Sequence, residues 1–115
     1  MSDEAVPPKE PIPVYVSKLF VGEVFSPVKV LYEAESRDEQ YPIKFQYSDL
    51  GSFARELLWL AKRYGRALKP LYGDVQSSQG IIHENRFTLG FTLSKEDIQL
   101  LAEELRKELE GNKNP

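Results

Sequence analysis

Residues 41–71 read YPIKFQYSDLGSFARELLWLAKRYGRALKPL, and this stretch decides the fold class. At its start Ile43, Phe45 and Tyr47 alternate with Lys44 and Gln46, the period of a half-buried strand. Ser48 or Asp49 then offers an oxygen for an N-cap. From Leu50 the apolar period lengthens to that of a helix. Leu50, Phe53, Leu57, Leu60, Tyr64 and Leu68 form one stripe, while Arg55, Trp59, Lys62, Arg66 and Lys69 form the opposite one, flanked by Arg63. Gly65 falls inside this predicted helix and weakens it by about 1 kcal/mol relative to Ala. Pro70 predicts a stop near Leu68.

Working outward, Ile12–Val21 is rich in Val, Tyr and Phe and predicts a strand. Both its odd and even positions are largely apolar, as in a central strand. Residues 27–35 (PVKVLYEAE) carry two signals. Ser26-Pro27 resembles a helix start, but Val28, Val30 and Tyr32 alternate, and a strand is the expectation. Residues 72–80 (YGDVQSSQG) predict a loop. In residues 81–91 a fourth strand is expected, with Phe87, Leu89, Phe91 and then Leu93 alternating against Arg86, Thr88, Gly90 and Thr92. Ser94-Lys95-Glu96-Asp97 has the form of a capping box. A helix follows, with Ile98, Leu101, Ala102, Leu105 and Leu109 on one side and Gly111 as its expected stop.

The order is therefore β-β-β-α-β-α. It predicts an α+β domain, a mainly antiparallel sheet of three to four strands covered by two helices. Residues 1–11, with Pro7, Pro8 and Pro11, read as a disordered arm. Residues 12–110 form the expected single domain, and residues 111–115 a polar tail. The alternation in the third and fourth strands predicts one open sheet face. Lys44, Gln46, Arg86, Thr88 and Thr92 are expected to line it, joined by Lys18 and Phe20.

A chain of 115 residues with 41% hydrophobic and 29% charged side chains suits one soluble domain. Its apolar runs are too short for a membrane span, and the acidic, Pro-rich start is unlike a signal peptide. The expected location is cytoplasmic. With no Cys and one His, disulfides and Cys-based zinc sites are excluded. Few oxidisable residues beside many Lys, Arg and Glu suit a thermophile. The net charge of −3 argues against a general polyanion binder, but the positive charge is concentrated. Residues 41–93 hold seven basic and four acidic side chains, whereas both flanks are acidic, and local fields act on partners more than net charge does.

Four candidate sites emerge. The first is the basic stripe with the single Trp. Guanidinium and ammonium groups neutralise phosphates, and an indole stacks on an unpaired base. The competing explanation is a solvated helix face whose Trp packs on a loop or a second subunit. The second is the open sheet face. There Lys18-Leu19-Phe20-Val21-Gly22 resembles the first-strand signature of RNA-recognition motifs. Glu23 stands where that family has Asn, and the second signature is missing, so the chain is not assigned to it. The third is the last helix. Ile98, Ala102, Leu105 and Leu109 have the 4-3-4 spacing of a short coiled-coil seam and offer a homodimer contact. The acidic Glu103, Glu104, Glu108 and Glu110 on this helix are expected to keep a polyanion away from that end. The fourth is His83 with Glu84 and Asp74, which lacks a nucleophile, a metal pair or a phosphate loop.

The leading expectation is a non-enzymatic protein that binds single-stranded DNA or RNA, without metal or cofactor. Arg55, Lys62, Arg63, Arg66 and Lys69 would hold the sugar–phosphate chain and Trp59 would stack. Tyr72, Lys44, Arg86, Lys18 and Phe20 would extend the track. The competing expectation is a protein–protein interaction or assembly module with Trp59 as its anchor.

Overall fold

The computed structural model describes residues 10–73, 81–83 and 85–113. The architecture is α+β. Strands β1 (Ile12–Glu23), β2 (Lys29–Glu35) and β3 (Lys44–Tyr47) precede helix α1 (Leu50–Tyr64). Strands β4 (Leu68–Leu71), β5 (Ile81–His83) and β6 (Arg86–Phe91) follow, and helix α2 (Lys95–Lys113) closes the described chain. The expected disordered arm lies outside the described residues up to residue 9. The expected loop lies outside them over 74–80, and so do Asp74, Glu84 and the end of the polar tail.

The sheet has six strands in the order β3-β2-β1-β6-β5, with β4 pairing β1. β1 is central, as its two apolar faces require. Its far edge is shared in tandem, with Ile12–Tyr15 pairing β4 in parallel and Lys18–Glu23 pairing β6 antiparallel. Residues 27–35 do form the strand expected of them from Lys29 onward. The expected fourth strand is a hairpin of β5 and β6.

β4 corrects the expected end of the first helix. α1 stops at Tyr64, because Gly65 takes the left-handed conformation (φ 65°) and its N–H caps the carbonyls of Ala61 and Lys62. Gly65 is therefore a C-terminal cap rather than a weak point inside the helix. Leu68 and Lys69 leave the helix and join the sheet. Ile12 N–H donates to the Ala67 carbonyl at 2.9 Å, which starts the parallel pairing. Pro70 is tolerated in β4, which pairs β1 alone, because an edge strand needs no donor on its open side. At the other end of α1, Asp49 is the N-cap and accepts from Ser52 N–H at 2.9 Å. That bond holds its carboxyl below the ordinary value.

The helices cover one sheet face at one end. Ile12, Val14 and Val16 of β1 and Ala34 of β2 meet Phe53, Ala54, Leu57 and Leu60 of α1 and Leu101 of α2 in the buried core. Phe53 sits among aromatic rings, with its centroid 5.1 Å from that of Phe45 and 6.3 Å from that of Tyr32. Ser94 Oγ accepts from Asp97 N–H at 3.2 Å, the cap read in the sequence. The Asp97 carboxylate does not complete the box. It accepts from Lys18 Nζ at 2.9 Å and ties α2 to β1. Gly111 does not stop α2, which continues to Lys113.

Candidate nucleic-acid interface

The residues of the expected basic stripe separate into three groups. Arg55, Trp59, Lys62 and Arg63 stay together on two turns of the helix. Trp59 is 52% exposed, a large apolar ring left in water. The Arg63 guanidinium lies over the indole, 5.2 Å from its centroid. Lys62 is exposed and has no ion pair among the described residues. Arg55 donates to Ser52 Oγ at 3.1 Å and stands 3.7 Å from Glu108. That contact is long, and the Arg55 side chain is 60% exposed, so it is a weak, solvent-screened pair.

Arg66 belongs elsewhere. Past the Gly65 cap, its guanidinium donates to the Glu10 carbonyl and stacks on Tyr41 at 4.7 Å. It holds the start of β1 against the end of α1. Lys69 is on β4 beside Pro13, which puts it on the sheet face away from the helices. Tyr72 follows β4 and packs against the core, and burial pushes its hydroxyl pKa up. The helix ending a turn early is the physical reason that these residues leave the stripe.

The open sheet face is present but is not basic. Lys44 and Gln46 lie opposite Glu35 and Glu33 in the register, and Gln46 Nε2 donates to Glu33 at 2.9 Å. Arg86 pairs with Glu23 at 2.8 Å. Cations and carboxylates alternate there, so no single-sign field forms. Lys18 and Phe20 are not on this face. With a period of two, they share the side of Ile12, Val14 and Val16, which faces the helices. Lys18 is paired with Asp97, and that bond raises its pKa.

Around Trp59 the structure forms a cleft of about 870 Å³, bounded by Tyr47, Leu58, Trp59, Lys62, Glu108 and Leu109 among others. Tyr47 O–H donates to Glu56 at 3.0 Å, which raises the Tyr47 pKa. Leu58, Trp59 and Leu109 give the cleft apolar lining, and Arg55, Lys62, Glu56 and Glu108 give it charges of both signs. Tyr47, Glu56 and Glu108 join the cleft without a signal in the sequence that marks them as site residues. Tyr47 has the spacing of a core position, and no local pattern could place Glu108 next to Arg55. The acidic residues of α2, expected to keep a polyanion away from that end of the chain, do not lie apart from the basic helix. α2 packs beside α1, which brings Glu108 to Arg55 and Glu104 to the neighbourhood of Gly51.

The expected seam on α2 does not form one surface. Ile98 and Leu105 pack against the core, whereas Ala102 and Leu109 are exposed. No group of three or more metal-ligating side chains occurs among the described residues. No described helix is long and apolar enough to cross a membrane. No protein family, curated protein or solved structure matches this chain.

Proposed function

We propose that the protein binds single-stranded nucleic acid at the α1 cleft, with no chemical step. One observation carries this reading: a half-exposed indole stands beside three cationic side chains and lines an open cleft. A single strand offers both charges and unpaired π faces. Arg55, Lys62 and Arg63 would neutralise phosphates while a base enters the cleft and stacks on Trp59, a contact worth about 1–3 kcal/mol. Arg63 already lies over the ring, so the entering base uses the indole surface facing the cleft. Leu58 and Leu109 would shield the stacked base from water. Glu108 at the rim weakens the field, which favours modest affinity over tight binding.

The test is a fluorescence-anisotropy titration with a labelled single strand over a salt series. Three neutralised phosphates predict a log–log slope of about −2, or about a twentyfold loss of affinity between about 50 and about 200 mM salt. Arg63→Glu should flatten that slope. A salt-independent affinity, or none for single strands, would refute the reading.

A second reading draws on the cleft itself. Leu58, Trp59 and Leu109 with Glu56 and Glu108 at the rim also suit an apolar anchor from another protein, with Trp59 at the centre of the interface. Binding to such a partner would depend only weakly on salt.

A further inference from the structure

A second exposed surface lies at the far end of the sheet and is independent of the α1 cleft. We propose that two copies of this chain associate through it, each placing the turn around Phe25 against the aromatic floor of the other.

The helices cover only the first half of β1. Beyond Lys18 the same sheet face carries Phe20 opposite Leu89 and Gly22 opposite Phe87. The Phe87 ring lies directly across Gly22, in the space a Cβ would take. Phe20 meets Phe91 edge-on with centroids 5.1 Å apart. Phe91 is about half exposed, and so are Val24 and Val28 in the loop between β1 and β2. Phe25 touches nothing and is wholly exposed.

Phe25 also has a positive φ of 71°, alone among the described residues other than glycine. Ser26 N–H donates to the Glu23 carbonyl at 3.1 Å, so Phe25 occupies the third position of a tight turn. With that φ the position is ordinarily given to Gly or Asn. A bulky side chain there is disfavoured by its backbone and by water, with no contact in its own chain to offset either. The turn is nonetheless held firmly, because Val24 N–H donates to the Asn85 carbonyl at 3.0 Å and joins it to the β5–β6 turn. A strained, fixed and wholly exposed aromatic ring is what an association anchor requires.

The chemistry of the patch selects its partner. The cation beside Phe20 on this face is Lys18, already paired with Asp97. Glu23 and Arg86 pair with each other on the opposite face. The described side chains that make up the patch are apolar, which suits an apolar partner better than a polyanion, a charged peptide or a lipid headgroup. The exposed parts of the two Phe and two Val residues amount to roughly 400–500 Å² of apolar surface. With the smaller exposed parts of Phe20, Phe87 and Leu89 this reaches roughly 500–650 Å² per partner, below the about 800 Å² of stable complexes and in the range of a weak, dissociable contact. The same end of the sheet offers both a protruding ring, Phe25, and, several strand positions away, a floor at Phe20 and Phe91. A two-fold axis needs that arrangement, in which each copy gives to the other what it receives.

Analytical ultracentrifugation of the full chain tests this, with circular dichroism as the fold control. The wild type should sediment as a dimer that dissociates on dilution. Phe25→Gly should sediment as a monomer with an unfolding midpoint equal to or above that of the wild-type monomer, because Gly relieves the turn. Val28→Ser should also shift the equilibrium toward monomer, and Trp59→Ala should remain dimeric. A wild type that is monomeric at every concentration would overturn the proposal. So would a dimer that survives Phe25→Gly, or one that Trp59→Ala dissociates. If a monomeric wild type instead co-sedimented with phosphatidylcholine vesicles and Phe25→Gly did not, the patch would belong to a lipid surface.

Discussion

The Lys18 ammonium on β1 and the Asp97 carboxylate in the first turn of α2 meet at 2.9 Å, joining residues 79 positions apart in the chain. The Asp97 side chain is only 12% exposed. Lys18→Met would leave that carboxylate without its donor, at a cost of about 1–3 kcal/mol. Asp97→Asn should cost less, since Lys18 can reach water and α2 keeps its Ser94 cap. Urea unfolding of both single variants and the double variant measures the difference. Equal, negligible losses would mean that the pair does not fasten α2.

Alkaline pH should unfold this protein earlier than its charge alone suggests. Hydrogen bonding to Asp97 raises the Lys18 pKa above its ordinary 10.5. The bond to Glu56 raises Tyr47, and burial raises Tyr72, both above an ordinary 10.0. In each case the folded state holds its proton more tightly than the unfolded state. The stability these groups contribute is whole below the ordinary values and is lost as pH rises through the raised ones. A melting series should therefore be flat across the mildly alkaline range and fall above about pH 10. Tyr47→Phe and Lys18→Met should each make the fall shallower. A melting temperature that held steady through that range would contradict the assignment.

Gly65 gives a test by sign. Inside a helix, Gly→Ala stabilises by about 1 kcal/mol. At a left-handed cap with φ 65°, Ala costs about 1–2 kcal/mol instead. Gly65→Ala should thus lower the midpoint of urea unfolding. A rise would restore the longer helix and return Arg66 and Lys69 to the basic stripe.

Much of the fold was legible because its signals are local. The alternation of Ile43, Phe45 and Tyr47, the Asp49 cap and the stripe through Phe53 and Leu60 each need only a few neighbouring residues. β4 was not legible. LKPL has no strand period of its own, and it is a strand only because β1 offers it a parallel edge. The site was readable in part for the same reason. Arg55, Trp59, Lys62 and Arg63 lie within the helix whose period is clear. Arg66 and Lys69 lie past a glycine whose role as a cap or an interior residue depends on one backbone angle. Lys18 and Phe20 carried the right chemistry for an open face, but the side they occupy is fixed by where the helices pack. Glu108 reaches Arg55 only through helix packing, which no spacing in the sequence encodes.

The chain has one tryptophan and six tyrosines, so fluorescence excited beyond the absorption edge of tyrosine reports Trp59 alone. Titrating the full chain with an unlabelled single strand tests the central claim most directly. The proposed site predicts red-shifted emission in the free protein, strong quenching as a base stacks on the indole, and reversal of that quenching by added salt. Emission that is red-shifted but unchanged at saturating single strand, or quenching that salt leaves intact, would contradict it.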